Sequence, residues 1–183
     1  MILPNFRPPY LTPIKIKSGS IPVTANWSDI TFDKSEEKHT VTEQRITGLS
    51  SPITLSLQWS RAAETFLFYR VSPTPLPEGL TLYNILSTDP NAPAGLTFDP
   101  YDNDGSIDTF RDPCEFSHGF TSAGAYPADS CDEIVVNNND YVAFIYFAYS
   151  TIFSPYPINT TVTIGNLSNG NATIDTFTCT AQS

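Results

Sequence analysis

Apolar and polar positions alternate with a period of two along much of the chain. In "ITLSLQW", Ile53, Leu55, Leu57 and Trp59 fall on one side and Thr54, Ser56 and Gln58 on the other, which predicts a strand with one buried face. The same pattern predicts strands in "HTVTEQRITG" (39–48), "TFLFYRVS" (65–72), "LTLYNIL" (80–86), "DEIVVN" (132–137), "NTTVTIG" (159–165) and "ATIDTFTCTA" (172–181). Asn169-Gly170 predicts a two-residue hairpin turn, because both residue types tolerate positive φ. One stretch breaks the alternation. In "YVAFIYFAY" (141–149), Tyr141, Ala143, Ile145, Phe147 and Tyr149 share one side and Val142, Phe144, Tyr146 and Ala148 the other. A strand with no polar face has to be covered twice. The second cover is either the chain's own insertion or another subunit, with Ile152, Phe153, Tyr156 and Ile158 extending the contact in the second case.

Seven or eight strands with short turns and no amphipathic helix predict an all-β fold, an antiparallel β-sandwich. Two segments stand outside it. Residues 1–24 carry Pro4, Pro8, Pro9, Pro13 and Pro22, which forbid helix and remove ladder donors, so an extended arm precedes a body spanning 25–183. Apolar Phe6, Tyr10, Leu11 and Ile14 punctuate the arm. They suit either a disordered terminus or an arm lying along a neighbour's surface and adding its backbone to a sheet edge. Residues 87–131 form a long irregular insertion rich in Asp, Pro and Gly, a length that is uncommon without a role.

Charge sharpens this division. Residues 1–24 hold Arg7, Lys15 and Lys17 and no acid, whereas residues 71–183 hold thirteen acids against the single base Arg111, a net of −12. The whole chain is at −10, which disfavours nucleic acid as a partner. No apolar run is long enough for a membrane helix, and the segment after Met1 lacks the pattern of a signal peptide, implying synthesis in a cytoplasm.

Candidate chemistry is sparse. The two histidines, His39 and His118, have no motif around them, and no nucleophile elbow, P-loop or zinc signature occurs, so the expectation is a protein without catalytic residues and without a cofactor. Asp99, Asp102, Asp104 and Asp108 could offer oxygen ligands to calcium, but aligning Asp102 and Asp104 as loop ligands puts Arg111 where an EF-hand needs its bidentate glutamate; an Asp- and Gly-built turn accounts for them as well. Cys114 and Cys131 bracket part of the insertion. A disulfide there would be worth roughly 3 kcal/mol, although cytoplasmic synthesis favours thiols until release into oxidising surroundings. Cys179 alternates with Phe177 as a small core residue.

The segments "ITGLSSPITLSLQWS", "LFYRVS", "IVVNNNDYVAFIYFAYS" and "TVTIGNLSNGNATIDTFTCT" resemble the Ig-like sandwich modules of virion proteins from tailed bacteriophages, especially those of marine bacteria and cyanobacteria. Asn139 stands where such modules usually have glycine. The resemblance spans roughly residues 27–60 and 132–181 and implies an Ig-like fold and a structural virion role with no catalytic residues. Within that family a capsid decoration, or cement, protein fits the charge division: the arm would grip the major capsid protein or other virion proteins and the acidic body would face outward. The partner-binding residues expected are Phe6, Arg7, Tyr10, Leu11, Ile14, Lys15 and Lys17 of the arm, with Ile152, Phe153 and Tyr156 beside the exposed sheet face, where a second copy of the chain could also dock. The alternative is an adhesion module of a tail or surface appendage, with Tyr101, Phe110, Phe116 and Tyr126 stacking on host glycan.

Overall fold

The computed structural model describes residues 17–22, 40–62, 65–78, 97–98, 109–110, 124–126, 131–148 and 157–181. They form strands β1 (Lys17–Pro22), β2 (Thr40–Thr47), β3 (Ile53–Arg61), β4 (Thr65–Ser72), β5 (Thr97–Phe98), β6 (Thr109–Phe110), β7 (Gly124–Tyr126), β8 (Ile134–Val136), β9 (Tyr141–Ala148), β10 (Ile158–Asn166) and β11 (Ala172–Ala181). No α-helix occurs among the described residues, so the chain is all-β there.

One sheet has the order β1-β2-β9-β4 and a second the order β11-β10-β3-β7, with β8 also on β3. All pairings are antiparallel except β1 with β2 and the short β5 with β6. The chain passes from β2 in the first sheet to β3 in the second and back to β4. Among the described residues, only β10 and β11 are consecutive neighbours joined as an antiparallel hairpin. The "GLSSP" turn therefore arches between sheets, with Gly48 at φ 81°.

The inward residues of both sheets form one core. Ile46, Leu67, Tyr69, Val142, Phe144 and Tyr146 from the first sheet meet Leu55, Leu57, Trp59, Val162, Ile164 and Phe177 from the second. Trp59 packs edge-on to Tyr146 at 6.5 Å between ring centroids, and Phe144 lies 6.3 Å from Phe177, separations at which aromatic pairs add to simple burial. Ser56 departs from the predicted alternation: it is buried on the outward side because its hydroxyl donates to Asn171 Oδ1 beneath Gly165.

Two turns differ from their sequence reading in informative ways. Between β10 and β11 the chain makes a 3-10 turn over Leu167–Asn169, capped by Asn166, whose side chain accepts from the Ser168 N–H at 3.0 Å. Positive φ falls on Gly170 and Asn171 rather than on Asn169, so the predicted two-residue turn is a longer loop, tied to β3 by Thr54 N–H donating to Ser168 Oγ. Before β9, Asn139 takes φ 70°. It thereby keeps the backbone shape that glycine would adopt, and the turn is bolted to β2 by Asn139 N–H donating to Ile46 O and Ile46 N–H donating to Asp140 O, both at 2.8 Å.

Along β3, β7 pairs with residues 59–61 and β8 with 53–55 on the same edge and in the same direction. They are two ends of one strand interrupted by residues 127–133, seven residues set against three on β3. Cys131 lies in that interruption and is disulfide-bonded. Next to it, Tyr69 donates its hydroxyl to Asp132 Oδ2 at 3.0 Å, fastening the interruption to the opposite sheet. Cys179 is a buried thiol on β11. Cys114, considered above as a partner for Cys131, lies outside the described residues.

Candidate functional site

The strand apolar on both sides, β9, runs through the middle of the first sheet with β2 and β4 as its neighbours. Register places its second face in rows with theirs: Val41, Ile145 and Phe68 in one, Glu43, Ala143 and Arg70 in the next. Ala143 and Ile145 on this face are buried as fully as the core-facing residues, and Tyr141 at its end is half-buried. Among the described residues its cover includes Leu76, on the segment that follows β4. Ala143 and Ile145 are therefore hidden within the single chain.

The row centred on Ala143 is the most chemically distinctive group in the described structure. Ala143 is small, so Glu43 and Arg70 flank a gap over the strand between them. Both are almost fully buried, at 2% and 1% exposed. Glu43 Oε2 accepts the Leu76 N–H at 2.7 Å, and Arg70 donates to Thr74 O at 3.1 Å and to Thr74 Oγ1 at 3.3 Å. Ser72 Oγ completes the set by accepting the Thr74 N–H. Burial pushes the Glu43 carboxyl above its ordinary value of 4.5, opposed by the Leu76 N–H and by the charge of Arg70. Opposite charges clasping adjacent points of one segment secure it to the sheet, through the Leu76 N–H on one side and Thr74 on the other.

No other described cluster suggests reaction chemistry. Among the described residues no three acids, histidines or cysteines converge on a common point. The Tyr146 phenol, pushed up to about 12 by burial, stays neutral in the core. Sequence reasoning passed over Glu43 and Arg70 because charged residues are ordinarily exposed. The available signal was Arg70 inside "TFLFYRVS", on the same side as Phe66 and Phe68 of a strand apolar on both sides.

Of the expected partner-binding residues, Lys17 begins β1, with Thr42 as its Cα partner. Phe6, Arg7, Tyr10, Leu11, Ile14, Lys15, Ile152, Phe153 and Tyr156 lie outside the described residues, as do the acidic positions Asp99, Asp102, Asp104 and Asp108 and the aromatic positions Tyr101 and Phe116. Phe110 and Tyr126 fall in β6 and β7. The root of the arm is thus part of the body's sheet: residues 17–22 form a parallel edge strand on β2, which the division at residue 24 did not anticipate. No family model matches the chain, and neither the curated proteins nor the solved structures contain a match to it.

Proposed function

We propose that the protein is a non-enzymatic structural component of a tailed-phage virion, a capsid decoration protein held on the shell by its N-terminal arm. The observation that carries this reading is β1. Residues of the basic, proline-rich segment are laid in parallel along β2, so residues 1–16 leave the body from a fixed point, at Lys17 beside Thr42. An arm rooted in a sheet edge transmits load to the body through a ladder of backbone hydrogen bonds. The burial of Ala143 and Ile145 within the chain shifts the weight of the proposed contact toward the arm. The acidic body suits an outward position by charge, since net charge of one sign keeps neighbouring particles apart.

Co-sedimentation with undecorated phage heads tests this reading. The full chain should bind saturably, and a chain lacking residues 1–16 should lose binding while keeping its unfolding midpoint, because β1 is retained. Equal binding by both chains, or binding by neither, would overturn the decoration role; in the second case retention on a host glycan surface would identify an adhesion module.

A further inference from the structure

The edge of β2 poses a requirement that the rest of the first sheet does not. Thr42, Glu43 and Gln44 are buried, yet on the side away from β9 their strand is completed only by β1. A vacant edge on so deeply buried a strand would expose a row of backbone donors and acceptors next to the core, which is a template for any extended segment. The occupant, "KSGSIP", contains one large apolar residue, Ile21, together with Gly19 and Pro22. Its place is defined by ladder pairing, and an identical segment from another copy supplies the same ladder.

Chain length permits that substitution. The parallel register puts Pro22 beside Thr47, so the connection to Thr40 has to run back over seven strand positions, about 23 Å at the strand rise. Residues 23–39 provide a reach of roughly 60 Å when extended. The connection is more than twice as long as the local return requires, which leaves it the slack to carry β1 to the β2 of an adjoining copy. Treated as a flexible chain, the same connection has a root-mean-square length of roughly 24 Å, which matches the local return and holds a chain's own β1 at an effective concentration on the order of millimolar. Dilute protein should then keep its own strand. Subunits crowded together should trade strands without new contacts having to be created.

We propose that Lys17–Pro22 is an exchangeable strand and that the edge of β2 is its acceptor site, taking the same segment from a second copy of the chain when copies are concentrated. This stands independently of the decoration role, because it is a property of the protein alone and is tested without phage heads.

The test uses two full-length chains, one with Ser20→Cys and one with Arg45→Cys, positions that are Cα partners in the ladder. An equimolar mixture is refolded and oxidised at concentrations from micromolar to roughly millimolar, each chain alone serving as the control. Covalent dimer carrying linked peptides from positions 20 and 45, identified by mass spectrometry, should rise at least about tenfold across that range as the tether is outcompeted. A second pair, Pro22→Cys with Thr47→Cys, guards against a local defect. If both mixtures stay at control levels up to millimolar, while chains carrying both substitutions of a pair close the bond internally, strand exchange is overturned.

Discussion

At the residue scale, buried polar groups that fasten the fold contrast with Gln44. Gln44 is 1% exposed on the core side of β2, and neither its Oε1 nor its Nε2 has a hydrogen-bond partner. An amide desolvated without compensation costs about 1–3 kcal/mol, so Gln44→Met, close in volume, should raise the urea midpoint by an equivalent of about 1–2 kcal/mol. Arg70 presents the opposite case. Arg70→Met leaves the Glu43 carboxylate buried without its counter-charge and should cost about 3–5 kcal/mol in the same measurement. Glu43 also sets a pH dependence. Its carboxyl is raised above 4.5 by burial, so the folded chain holds this proton more tightly than the unfolded one. The stability it contributes is complete below 4.5 and declines as pH rises through the raised value. Glu43→Gln should flatten that decline, read as the difference between urea midpoints of the two proteins across a pH series.

At the scale of elements, glycine and asparagine mark where a side chain is excluded and where only a backbone shape is demanded. A Cβ on Gly165 would come within 2.6 Å of Ser56 Oγ, whereas one on Gly170 would meet nothing, the demand there being its φ of 58°. Gly165→Ala should therefore cost about 1–3 kcal/mol by forced displacement and Gly170→Ala about 1 kcal/mol by backbone strain. Asn139→Gly should be neutral or slightly stabilising, since φ 70° costs glycine nothing; thermal unfolding of the three variants would rank them. Strands with strict alternation or a continuous apolar run were legible from sequence: β4 and β11 match their predicted limits, and β2, β3, β9 and β10 lie within two residues of theirs. β1 was not legible, because its ladder pairing leaves no apolar period in "KSGSIP". The hairpin loop was misplaced because the capping by Asn166 and the bond from Thr54 to Ser168 depend on β3, more than a hundred residues away.

At the scale of the molecule, the two charged ends of the chain have different relations to the fold. The root of the basic arm is built in, and the acidic insertion supplies β7, which lies on the same edge of β3 as β8 and runs in the same direction. Removing residues 1–16 should leave stability unchanged, whereas removing 1–22 should lower it and promote association through the uncovered edge of β2, measured by urea unfolding and light scattering. The candidate site was legible only in outline. The sequence indicated that β9 needed a second cover, but the Glu43–Arg70 clasp on that face is a row of residues from three strands that no local pattern contains.

The position of β9 also bears on the chain's passage through the ribosome. β2 and β4 do not pair with each other; each completes its ladder on β9, whose first residue, Tyr141, emerges more than sixty residues after the end of β4. At about 5–20 residues per second, Phe66, Phe68, Arg70 and Glu43 wait several seconds for the strand that shelters them. A nascent chain released before Tyr141 has no sheet to join, and its survival depends on whatever holds unfolded segments apart in the cell that makes it.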